Sequence, residues 1–227
     1  MTNFRLFHMA VPGRIHARTF RCIWLLEELD VKPFEVCMVT PGQPYAPQMR
    51  KYGVQESTKL PTLVMDGREI GESGLICHLL AKRFRKTKDL RGTESEKIDL
   101  LQWMSFAETC IMLRVPLMPL LLDSEKTIDA LRSEVIQPQR DILAGNIDRF
   151  ESHFRIKEKP YLLASGFSLA DIMCGWSLYT FHNWGLIELT PEESPLTLEY
   201  LERLKARPAF IQTEQYAELR PGLHVRD

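Results

Sequence analysis

The sequence predicts a protein in two parts: an α/β part over residues 1–85 and an all-helical part over 93–227, joined by a linker at 86–92. Three observations carry this. Short apolar, β-branched or aromatic runs alternate with helical periodicity through the first 85 residues. Asp66-Gly67 stands between two such runs, the strongest short hairpin signal a sequence offers. Beyond Gly92 the strand signal fades and helical spacing recurs to the end.

Taken in order, "FRLFHM" (4–9) is a short apolar strand followed by a Pro-Gly loop from Val11 to about Ala17. "TFRCIWLLEELD" (19–30) is helical through Phe20, Ile23, Trp24 and Leu26, and "PFEVCMV" (33–39) is a second strand. A polar stretch at 40–58 reads as a loop with one irregular helical turn near "PQMRKY". "TLVM" and "REI" flank the hairpin turn, and "SGLICHLLAKRF" (73–84) is a helix with Ile76, Leu79, Leu80 and Phe84 on one face. The order β-α-β, long connection, β-β-α requires parallel pairing through a right-handed crossover, with the hairpin as an antiparallel edge.

In the second part, Thr93 and Glu96 form a capping box before a helix that runs to about Leu113. Helical spacing continues at 125–154 with an interruption at Pro138, and again at 195–206 and 208–218. "FSLADIMCGWSLYTF" (167–181) opens with a second capping box, Ser168 with Asp171, and is apolar nearly all round, which marks a core helix.

Composition narrows the function classes. With 29 basic and 30 acidic residues the net charge is −1, so a nucleic-acid partner is not expected. No apolar run approaches the ~18–20 residues of a membrane span, and the first ten residues lack a secretory signal pattern. The five cysteines show neither C-x-x-C nor zinc spacing, and the six histidines form no paired ligand pattern. A small-molecule or protein partner, no metal, and a reducing compartment such as the cytoplasm are the expectations.

The stretch "KLPTLVMDGREIGES" (59–73) carries the chemistry. A proline opening a strand is tolerated only where its missing N–H is not needed by the ladder. A cis bond before Pro61 would turn the N–H and C=O of Leu60 outward, to pair with an extended peptide laid along the sheet. Glu72 and Ser73 fall at a helix N-terminus, where free N–H groups and the dipole attract a carboxylate. Ser73 adds a hydroxyl donor, and Glu72 the opposite charge for an ammonium. A peptide ligand with an α-amine and an α-carboxylate fits. A plain helix cap is the alternative reading of the same two residues.

"KLPTLVMDGREIGESGLICHLLAKRF" resembles the glutathione-binding half of the glutathione transferases; "TFRCIWLLEELDV" is similar to their first helix, and "FSLADIMCGWSLY" with "RLKARPAF" to their helical half. The resemblance covers almost the whole chain. It implies a thioredoxin-like domain over 1–85, an all-helical domain carrying a second-substrate pocket, glutathione as co-substrate without a metal, and commonly a homodimer. By that match Leu60 before cis Pro61 would hold the cysteinyl backbone of glutathione. Glu72 and Ser73 would hold its γ-glutamyl end, and Lys59 its glycyl carboxylate, although Lys59 also reads as a solvated surface charge.

The catalytic position departs from the family pattern. Many relatives place a Ser or Cys five residues, or a Ser four residues, before the Arg of the first helix; counted from Arg21 these positions hold His16 and Ala17. No Tyr stands in the first strand, where Phe7 and His8 lie. The candidates for forming the thiolate are therefore His16, as donor or base, and Arg18, as a charge, with Thr19 capping the helix. Trp103, Phe106, Cys110 and Leu113 are candidates for a second pocket, and core packing explains them as well. The expected function is attack of activated glutathione on a small hydrophobic electrophile. A glutathione-dependent lyase, isomerase or disulfide reductase, and a non-catalytic binding or assembly module, are the alternatives.

Overall fold

The computed structural model describes residues 4–9, 17–57, 59–85, 88–111, 134, 137–157 and 159–226. It divides into two compact units, one formed by Met1–Leu90 with Ala206–Asp227 and the other by Arg91–Lys205.

The first unit follows the predicted order: β1 (Phe4–Met9), α1 (Thr19–Glu28), β2 (Phe34–Val39), α2 (Tyr45–Arg50), β3 (Thr62–Met65), β4 (Arg68–Ile70) and α3 (Ser73–Arg83). The sheet order is β4-β3-β1-β2-β5, with β1 parallel to β2 and antiparallel to β3, so the fold is a mixed thioredoxin-like sheet. Alternation along β1 divides its side chains between two faces. Phe7 packs with Cys37, Val39, Met49 and Val54, and the partly buried Leu60 lies against them. Phe4, of opposite parity, meets Phe84 just past α3, with ring centroids 6.0 Å apart. The hairpin turn takes positive φ at Asp66 (52°) and Gly67 (77°), the conformation that makes Asp-Gly a turn pair.

The C-terminal segment differs from the all-helical expectation for 93–227. After α8 (Pro208–Glu214; α4 to α7 are given below), Gly222–Arg226 forms β5, antiparallel to β2 on the sheet edge. Two contacts bind this segment to α1. Phe210 meets the Trp24 ring edge-on at 4.9 Å and Phe20 at 5.1 Å. The carboxylate of Glu28, only 4% exposed, accepts two bonds from Arg207, at 2.5 and 2.7 Å, and others from Lys88 and Trp24 Nε1 at 3.1 Å each. Burial works to raise the pKa of Glu28, but Arg207 and then Lys88 outweigh it and hold the carboxyl below its ordinary value.

In the second unit lie α4 (Lys97–Phe106), α5 (Gln137–Lys157), α6 (Leu169–Asn183) and α7 (Pro195–Lys205). Helix α4 ends in a π-helical turn, Ala107–Ile111. Both predicted capping boxes are present. Pro138 falls in the first turn of α5 as described, where its missing N–H costs nothing. Most of the expected helical stretch at 125–136 lies outside the described residues. α6 is buried from Leu169 through Leu178. Asp171 in its first turn accepts from Ser168 N and Oγ (2.8 and 2.9 Å) and from Leu162 N and the Tyr200 hydroxyl (2.9 and 3.0 Å). Among the described residues no helix is long and apolar enough to cross a membrane.

Candidate functional site

The β1–β3 ladder ends at the pair Phe7↔Thr62, so Leu60 and Pro61 stand just beyond it, and the bond between them is cis. The segment before them is fastened from both sides. Glu69, on the hairpin's second strand, accepts the backbone N–H groups of Gln55 (2.5 Å), Glu56 (3.1 Å) and Ser57 (2.9 Å), which hold its carboxyl below the ordinary value. Thr62 donates its hydroxyl to Lys59 O at 2.7 Å and lies 2.5 Å from Ser57 Oγ. The side chain of Leu60 is spent on the Phe7 cluster, which leaves its backbone as the part a ligand can meet.

Opposite stands the N-terminus of α3. Glu72 precedes its first residue with φ 63° and ψ 109°, a conformation non-glycine residues adopt only under constraint. Its exposed side chain makes no capping bond, so the carboxylate is not used to close the helix. Ser73, 2% exposed, accepts a hydrogen bond on Oγ from Arg21 Nη1 at 3.3 Å. A guanidinium on one lone pair leaves the Ser73 O–H to donate and makes it a stronger donor toward an anion.

Arg18, Glu56, Ser57, Lys59, Leu60, Pro61, Gly71, Glu72 and Ser73 together line a cleft of about 430 Å³. Five residues expected to bind a ligand (Lys59, Leu60, Pro61, Glu72 and Ser73) and the candidate charge Arg18 thus share one cleft. Two bases and two acids face it, a distribution suited to a zwitterion.

His16 lies outside the described residues. Thr19 does not cap α1: the helix begins at Thr19, with Arg18 in the capping position and no side-chain cap bond. Arg21, fully buried 52 residues before Ser73, was missed as a site component. Its signal was a cation inside the apolar run of the first helix. In the second unit, Trp103 lines a cleft of about 420 Å³ with Arg149, His153 and Tyr161, whereas Phe106 and Cys110 line a separate one of about 450 Å³ with Ile98 and Leu101. Leu113 lies outside the described residues.

Comparison with known proteins bears on the fold. Residues 18–88 match the family described as glutathione S-transferase, N-terminal domain. Solved structures of that fold align over nearly the whole chain. The β-etherase LigF from Sphingobium sp. strain SYK-6 is 20% identical with a TM-score of 0.75, covering 95% of this chain and 99% of that one. The glutathione transferase URE2P6 from Phanerochaete chrysosporium, in complex with oxidized glutathione, is 19% identical with a TM-score of 0.76, covering 96% and 97%. The Tau class transferase MiGSTU from mango, Mangifera indica, is 18% identical with a TM-score of 0.69, covering 95% and 96%. No curated protein matches the sequence.

Proposed function

We propose that the chain binds glutathione in the cleft between Lys59–Pro61 and the N-terminus of α3, and activates its thiol for attack on a small hydrophobic electrophile. The supporting observation is the Ser73 hydroxyl, set at a helix N-terminus with a buried guanidinium behind it and, beside it, a Glu72 carboxylate that makes no capping bond. The hydroxyl and the first N–H groups of α3 take the γ-glutamyl carboxylate, and Glu72 takes its ammonium. The backbone of Leu60 pairs with the cysteinyl residue, and Lys59 meets the glycyl carboxylate. Relatives of this fold crystallised with glutathione support the ligand. Arg18, at the start of α1 and on the cleft wall, adds positive charge that favours the thiolate over the thiol; His16 remains a second candidate for that task. The protein acts as a homodimer in this reading.

Charge-assisted bonds are worth ~1.5–3 kcal/mol each, so Ser73→Ala and Glu72→Gln should each weaken glutathione binding about tenfold or more. Isothermal calorimetry on the two folded variants checks this, and unchanged affinity in both would sink the assignment.

A further inference from the structure

Two of the buried cysteines face each other beside Ser73. Cys22 on α1 and Cys77 on α3 are both 0% exposed and unbridged, and their sulfurs lie 3.8 Å apart across 55 residues of chain. The Cys77 thiol donates to Cys22 Sγ, and the Cys22 thiol donates to the backbone oxygen of Ser73 at 4.0 Å. Ser73 and Cys77 are four residues apart on α3, so Cys22 meets them as neighbours on one face of that helix. Burial of a single cysteine needs no more than its apolar character, and Cys174 spends its thiol on the Trp103 backbone oxygen at 3.3 Å. Two thiols in contact are different, because they can be joined.

A disulfide needs sulfurs ~2.05 Å apart and Cβ atoms ~3.5–4.5 Å apart. From 3.8 Å each sulfur has to advance by only ~0.9 Å, a side-chain torsion adjustment between two helices of one compact unit. The place adjoins the cleft. Ser73, whose carbonyl Cys22 touches, lines the cleft, and its hydroxyl is held by Arg21, the residue before Cys22. Arg18, in the capping position of α1, lines the same cleft. A bond between Cys22 and Cys77 therefore ties together the two helices at whose starts Arg18 and Ser73 stand.

We propose that Cys22 and Cys77 are an oxidation site, at which a small hydroperoxide converts the two thiols into one disulfide linking α1 to α3. One sulfur, as thiolate, attacks a peroxide oxygen and breaks the O–O bond; it becomes a sulfenic acid, and the departing hydroxide leaves as water with the proton that thiol gave up. The second sulfur then attacks the first, the S–O bond breaks, and a second water leaves with the remaining proton. Two thiols and one hydrogen peroxide give one disulfide and two waters, the sulfurs supplying the two electrons that the peroxide oxygens accept. Contact between the sulfurs lets the second step outrun further oxidation of the sulfenic acid. Burial excludes bulky reagents, so the oxidant is small: hydrogen peroxide, scarcely larger than water, enters during local openings of the helices. A thiol reductant reverses the bond. The site is independent of which ligand occupies the cleft.

The test treats the folded full chain with hydrogen peroxide, alkylates the remaining thiols with iodoacetamide after denaturation, and maps the digest without reduction. The monomer should lose two of its five thiols, and a peptide containing Cys22 should be found joined to one containing Cys77. Dithiothreitol should restore both. The oxidised monomer should melt about 5–10 °C higher, because the bridge closes a loop of 55 residues. In Cys77→Ala the bridge should be absent and Cys22 should carry a sulfenic or sulfinic acid. Cys110→Ser, which removes a half-exposed thiol of the second unit, should leave the bridge intact. The wild-type map decides the question even if Cys77→Ala fails to fold. If Cys22 and Cys77 stay open to alkylation while Cys110 oxidises, or if either is found joined to a different cysteine, the proposal is wrong. A bridge that forms but lowers the melting temperature would mean that it distorts the helices, and would overturn the site as a tie between them.

Discussion

Acidification should destabilise the protein through His8 before it reaches most carboxylates. In the folded state the imidazole is buried without a partner among the described residues, and burial lowers its pKa from 6.5 to about 3. The unfolded chain takes up the proton near the ordinary value, while the folded chain refuses it. The His8 contribution to stability is therefore present in full above 6.5 and is lost as pH falls from there toward about 3. Each pH unit in that window costs ~1.4 kcal/mol, so a drop from pH 7 to pH 5 should remove about 2 kcal/mol. Other buried groups titrate nearby. Burial raises the Asp171 carboxyl to about 6 against its four hydrogen bonds, so Asp171 opposes the loss as pH falls, whereas His153, lowered chiefly by burial, adds to it. Comparison with His8→Leu cancels both. Urea denaturation at pH 7 and pH 5, without ligand, should show the wild type losing about 2 kcal/mol more than the variant. The variant, freed of two unpaired nitrogens, should be at least as stable at pH 7. Parallel losses in the two proteins would refute the reasoning, because the buried ring would then titrate like an exposed one.

Two further outcomes follow from buried carboxylates. Arg207→Met removes the two shortest hydrogen bonds to Glu28, and because Lys88 and Trp24 still hold the carboxylate, the loss should be about 2 kcal/mol, below the ~3–5 of a fully broken buried pair. Amide hydrogen exchange should quicken in α8 and β5 first, and uniform quickening across the sheet would count against a clamp on the C-terminal segment. Asp171→Asn turns an NH₂ group toward donors that now meet carboxylate oxygens, so the variant should lose about 2 kcal/mol or more by urea denaturation. An unchanged midpoint would mean that the capping box and the Tyr200 bond contribute little.

The local units were legible in the residues because their causes are local. Period-two runs, the Asp-Gly turn and the two capping boxes each depend on groups within four residues of one another, and the structure contains all of them. Pro61, Glu72 and Ser73 could be marked because a proline at a strand start and a polar pair at a helix start are unusual in any fold. Packing chose the partners of these groups. Arg21 reaches Ser73 across 52 residues and Arg207 reaches Glu28 across 179, and no spacing rule selects either pair. The Glu69 carboxylate shapes the cleft wall only because the hairpin brings it beside residues 55–57. "GLHVR" is too short to declare itself a strand, and becomes one where the β2 edge offers unpaired N–H and C=O groups to it. His8 looked like an ordinary strand residue; its isolation from every described hydrogen-bonding group arises only when the sheet closes under the helices. Backbone periodicity acts over one turn or one strand, whereas the burial of a charge or a ring nitrogen is settled by surfaces that meet from distant parts of the chain.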